Sequence, residues 1–273
     1  MKKLILGFAV LFSFSLTAQN LNTPAPSPTQ TITQDFALSS IEVKYSRPSV
    51  KGREIFGGLV PFGAMWRTGA NAPTTVAFGQ DVTVGGEMIK AGKYTLLTIP
   101  GKTEWEIIFA EAGTSAPNYK PANDVARFKV ASGAMPVNME NFTIMFADQT
   151  PSSINLELIW ADTYIDIPVV ADIDTQIMSQ IDNVMNKDNK PYYAAASYYF
   201  ENGKDDNKAL VWAQKAVKAQ PKAYWVRHLL AKVNAKLGNK DAATEAAKAS
   251  MELAQKAGNM DYVRLNEGLI KSL

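Results

Sequence analysis

The chain of 273 residues contains no cysteine and one histidine, His228. Without cysteine there are no disulfides, no thiol nucleophile and no cysteine-ligated zinc, so stability has to come from an apolar core. A lone histidine, set in the helical-looking segment Trp225-Val226-Arg227-His228-Leu229-Leu230, leaves no Ser-His-Asp triad and no histidine-rich metal site in the N-terminal part. Its plainer role is packing or surface. Beyond the N-terminus no run reaches the roughly 20 apolar residues that a membrane-crossing helix needs. Charge of either sign is also scarce in excess: 28 basic against 26 acidic residues give a formal net of +2, which falls to 0 without Lys2 and Lys3. That balance argues against nucleic acid or an anionic membrane as a partner. No metal or organic cofactor is implied.

What is present begins with a short cationic, apolar and small-residue pattern. Lys2-Lys3, the apolar span Leu4 to Leu16 and the sequence Leu16-Thr17-Ala18 read as a secretory signal peptide over 1–18, cleaved near Ala18. No cysteine follows for lipid attachment, and the mature chain is expected in the periplasm or outside the cell, without membrane insertion. Residues 19–29 hold Pro24, Pro26 and Pro28 among small polar residues and read as an extended leader.

From 30 to 170, short alternating or β-branched runs recur between turn signals. They are Thr31–Phe36, Ile41–Tyr45, Thr74–Phe78, Val82–Val84, Tyr94–Ile99, Trp105–Phe109, Val125–Val130, Phe142–Phe146, Ile154–Trp160 and Tyr164–Val169. The pattern predicts an antiparallel β-sandwich. The period then changes: Ile173, Ile177, Ile181, Val184 and Met185 recur at helical spacing, a linker helix over 171–189. Residues 190–273 hold four further helices, about 190–202, 207–219, 223–237 and 241–257, and a capping helix from Met260. Ala196, Gly203, Ala209 and Ala216 superpose on Ala231, Gly238, Ala243 and Ser250, a period close to that of tetratricopeptide repeats, in degenerate form. The fold class is therefore α+β and multi-domain. Helical pairs of this kind bind protein segments, and Trp212, Tyr224 and Trp225 are candidates to line a peptide groove, although aromatics at helical spacing are more often core.

The stretch from Tyr45 to Asn71 concentrates glycine, proline and aromatics around Arg47, Lys51, Arg53 and Arg67. Long loops of such composition are usually functional. Arg47, Arg53 and Arg67 offer forked donors for carboxylate, phosphate or sugar hydroxyls, Trp66 and Phe62 offer ring faces, and Asn71 adds an amide. If the loop folds back, Arg47, Arg67 and Asn71 converge on one pocket for a small carbohydrate or anionic ligand. The competing reading has the arginines clamping loop carbonyls and acidic partners such as Glu54 or Asp81 to hold the loop shut.

Three blocks in order, SRPSVKGR, WRTGANA and AGKYTLLTIPG, resemble the secreted bacterial domain of unknown function family 2911 over most of Pro26 to Val170. The resemblance implies a fold and a secreted setting, with no substrate, cofactor or catalytic residue to carry over. Function thus reads as a non-enzymatic binding protein with a polar loop site and a helical protein-contact module. The alternative is a carboxylate-based hydrolase acting on envelope or carbohydrate material, built from Glu42, Asp81, Glu87, Glu104, Glu106 or Asp148. Asp162, Asp166, Asp172 and Asp174 lack the spacing of a calcium loop, and Ser49-Val50-Lys51 lacks that of a Ser-x-x-Lys nucleophile.

Overall fold

A computed structural model describes residues 23–273, so the expected signal peptide over 1–18 and the first residues of the expected leader lie outside the described residues. The chain forms two compact units, the first ending at Asp172 and the second covering Ile173–Leu273.

The first unit contains strands β1 (Thr29–Phe36), β2 (Ser39–Ser46), β3 (Thr74–Phe78), β4 (Val82–Val84), β5 (Glu87–Ile89), β6 (Gly92–Ile99), β7 (Glu104–Glu111), β8 (Asp124–Ala147) and β9 (Ser153–Val170). All neighbours pair antiparallel in the order β1-β2-β3-β6-β7-β8-β9-β4-β5. Period-two patterning explains the layering. On β2, Ile41, Val43 and Tyr45 are buried while Glu42 and Lys44 turn outward, and on β3 Thr74, Val76 and Phe78 are the buried set.

The sandwich arises from one sheet folded over rather than from two separate sheets. β8 and β9 run 24 and 18 residues, far beyond the usual strand of about 5–6. Their mutual register jumps between Ala134 and Met139 and again between Met139 and Thr143. Bulges of this kind bend a strand and re-aim its side chains. Past the bend, the second half of β8 meets the chain that follows β2: Phe142 N–H donates to Pro48 O at 2.8 Å and Val50 N–H to Glu140 O at 2.7 Å. Sequence reading divides β8 into Val125–Val130 and Phe142–Phe146, and β9 at Ala161, so the breaks in pattern coincide with the bends. β5 is absent from the sequence pattern, since its three residues carry too little of it.

In the second unit, α1 (Asp174–Met185), α2 (Tyr192–Glu201), α3 (Asp206–Ala219), α4 (Tyr224–Lys236), α5 (Lys240–Lys256) and α6 (Met260–Ser272) each pack on the next in sequence from α2 onward. α1 does more than connect: Ile181 is buried with Ala195, Ala196, Tyr199 and Trp212. Its Asp174 accepts from the Tyr198 hydroxyl and from Lys204 Nζ, both at 2.8 Å, and these bonds hold the carboxyl below its ordinary pKa. The five alanines and the serine of the repeat pattern are all buried, which lets helix backbones approach. Gly203 and Gly238, at matching positions, have φ of 62° and 79° and end α2 and α4 in the left-handed region. Among the described residues no helix is long and apolar enough to cross a membrane.

Candidate functional site

The loop between β2 and β3 is stitched down by its own backbone. Trp66 and Thr98 exchange N–H to O bonds of 2.8 and 3.0 Å, extending the ladder beside β6, and Gly63 N–H donates to Pro100 O at 2.8 Å. Leu59 and Val60 N–H close a tight turn on Glu54 O and Ile55 O. Gly58 sits so near this turn that a Cβ there would lie 2.6 Å from Glu54 O, which explains the glycine.

Within this frame the residues singled out by sequence do not converge on one pocket, and of them only Arg67 and Asn71 bond each other. Arg47 reaches across to β8, with Nε on Phe142 O at 3.1 Å and Nη2 on Thr143 Oγ1 at 2.8 Å. Arg67 Nη1 donates to Asn71 O at 2.6 Å, and the Asn71 amide donates to Ser27 O at 3.1 Å. Arg53 binds Val50 O through Nε at 3.0 Å and Ser49 O through Nη2 at 2.5 Å. No described ion pair includes any of the three arginines, and Asp81 pairs with Lys90 at 2.8 Å instead. Clamping of loop carbonyls is therefore observed. Trp66 is not a pocket wall: at 9 % exposure it stacks on Trp160 at 5.8 Å and meets Phe56, Trp105 and Phe142 edge-on. Its Nε1 donates to Gly69 O at 3.0 Å.

A cleft of about 400 Å³ opens over this aromatic cluster. Of the residues singled out by sequence, Arg53 and Phe62 line it, and Arg47, Trp66, Arg67 and Asn71 do not. Glu54, the 40 % exposed Phe62, Lys102, Asp162 and Thr163 share its walls, while Phe56 and Trp105 form the floor. Asn138 and Ala161 contribute from the bulged parts of β8 and β9, and Ala161 has a φ of 52°. The wall thus carries two cations, two carboxylates, an amide and a hydroxyl beside an exposed ring. Trp105 Nε1 and, behind it, Trp160 Nε1 are buried with no hydrogen-bond partner, an uncommon state for an indole donor. Sequence reading missed Lys102, Asn138, Asp162 and Thr163, since each lies far along the chain from the loop. The readable signal was the interruption of strand pattern after Val130 and after Trp160.

Carboxylates with perturbed ionisation lie elsewhere. Burial, then the neighbouring Asp166 and Asp148, raise the pKa of Glu157, and burial followed by Asp148 raises that of Asp166. Neither lines the cleft. No group of three or more His, Asp or Glu side chains gathers in a metal-holding arrangement among the described residues.

A family model described as a protein of unknown function, DUF2911, matches residues 27–169, which is the β-unit and more than half of the chain. No curated protein and no solved structure matches.

Proposed function

The chain belongs to the DUF2911 family of proteins of unknown function, and on that premise we propose that it is a non-catalytic binding protein whose β-unit holds a small carbohydrate. The observation that carries this reading is the cleft, where the exposed ring of Phe62 stands beside Arg53, Glu54, Asp162 and Thr163. A sugar ring presents an apolar face and several hydroxyls, and it is recognised by an aromatic face and a few fixed polar groups of either sign. A free phosphate fits less well, because Glu54 and Asp162 offset Arg53 and Lys102. The proposal includes export: the cationic and apolar start of the chain directs it out of the cytoplasm, and residues 1–18 are removed. The tetratricopeptide-like helices serve as the protein-contact module, supported by the paired antiparallel helices, the buried small residues and the matching glycine stops.

The test is a thermal-shift screen of the chain from Gln19 against neutral sugars, uronic acids, inorganic phosphate and organic acids. Binding to the native state raises the melting temperature by mass action. A sugar-induced shift that disappears in Arg53→Ala and in Phe62→Ala, and persists in Arg67→Ala, is the expected result. Arg67→Ala should itself melt earlier, since it frees the carbonyl of Asn71. A shift that survives both cleft substitutions, or none with any compound, overturns the reading.

A further inference from the structure

The sheet has two edges, and they are built differently. β5 is three residues long, carries Glu87 and is followed at once by Lys90. Shortness and charge are the usual protection against unwanted strand pairing. β1 has neither. It pairs with β2 over eight residues in unbroken register, with no Lys, Arg, Pro or bulge, and its one charge, Asp35, lies near its end.

Backbone direction on β1 follows from the bond of Arg47 N–H to Pro28 O. In an antiparallel pair the bonded positions alternate, so even-numbered residues face β2. Thr29, Thr31, Thr33 and Asp35 turn their N–H and C=O groups to the open side. The Asp35 carbonyl accepts from the Gln149 amide at 2.9 Å, and no strand among the described residues pairs with the three threonines.

The sequence along this edge, Thr29-Gln30-Thr31-Ile32-Thr33-Gln34-Asp35, reads the same in both directions about Ile32 except at its ends. We propose that β1 is a self-pairing edge, joining two copies of this chain antiparallel about a two-fold axis at Ile32. In that register Thr31 faces Thr33 of the partner subunit, and the two exchange both backbone bonds. Gln30 faces Gln34 of the partner subunit. Ile32 meets the partner's Ile32 at the site between bonded pairs, where side chains come closest and where its half-exposed side chain is covered. Asp35 faces Thr29 of the partner subunit, so no like charges oppose. Such an interface is isologous and closes at two copies.

The experiment is sedimentation equilibrium of the chain from Gln19, up to about 100 μM, a range that reveals even micromolar association. The wild type is expected to dimerise. Thr31→Lys combined with Thr33→Lys sets lysine opposite lysine and should give monomer, whereas Thr31→Lys combined with Thr33→Glu sets opposite charges together and should keep the dimer. Thr33→Pro removes one outward N–H and leaves the β1–β2 ladder intact, so it should also give monomer, and it decides the matter if the double-lysine chain fails to fold. A wild type that stays monomeric throughout, a dimer untouched by Thr33→Pro, or identical behaviour of the two charge variants overturns the proposal.

Discussion

Tyr45→Phe tests whether the folded-over sheet is held where β2 and the bent half of β8 meet. The Tyr45 side chain is 2 % exposed and its ring meets Phe142 edge-on at 5.7 Å. Its hydroxyl accepts from Ile144 N–H at 2.9 Å, and its single proton is shared between Gln30 Oε1 at 2.7 Å and Ile144 O at 3.2 Å. Removing one oxygen leaves the ring in place and strands the Ile144 N–H, itself buried. An orphaned buried donor costs about 1–3 kcal/mol, so the variant should lose about 2 kcal/mol. For a unit of this size that is about 4–8 °C in melting temperature. Denaturant melts of the wild type and the variant measure it. pH supplies a second reading. Burial, the dominant effect, raises the Tyr45 pKa above its ordinary value. As pH climbs past about 10 the unfolded chain gives up this proton while the folded chain keeps it, so wild-type stability declines. The phenylalanine variant lacks that group, and the gap between the two proteins should narrow above pH 10. A loss below about 0.5 kcal/mol at neutral pH, or a gap independent of alkaline pH, refutes the idea that this hydroxyl locks the fold.

Two further pH dependences follow from charges held in poor surroundings. Burial and the neighbouring Asp166 and Asp148 raise the Glu157 pKa, so the folded state binds the proton more tightly, and stability declines as pH rises from about 4 through the folded value. Glu157→Gln should therefore melt higher than wild type at pH 7, an advantage that vanishes in acid; equal melting at both pH values counts against it. His228 sits with Nδ1 at 2.8 Å from Asn266 Oδ1, and Asn266 in turn donates to Ser250 Oγ at 3.0 Å, linking α4, α6 and α5. Burial depresses the His228 pKa, so as pH falls below about 6.5 the unfolded chain takes the proton first and the helical unit loses stability. Melts of the wild type between pH 7 and 5, beside His228→Gln, should show a slope that the variant lacks.

Much of this molecule is set by local pattern. Alternation of Ile41, Val43 and Tyr45, helical spacing of Ile177 and Ile181, and turn glycines at Gly203 and Gly238 act within a few residues, so the strands, the helices and the change between them are readable along the chain. The DUF2911 blocks are legible for the same reason. Contacts across the fold are another matter. Arg47 looked like a free donor in a loop, and only the bend of β8, which brings Phe142 O to 3.1 Å, turns it into a clamp. Trp66 looked like a ring beside a ligand, and only the meeting of four strands and loops sets it on Trp160 within the core. The cleft draws Arg53, Lys102, Asn138 and Asp162 from four distant segments, so no spacing encodes it. Local pattern sets where most strands and helices form, because those preferences are backbone and neighbour effects, while the three-residue β5 and the joined halves of β8 and β9 escape it. Which polar groups remain available is settled by packing across the fold, because a donor is spent or free according to which distant carbonyl lies beside it.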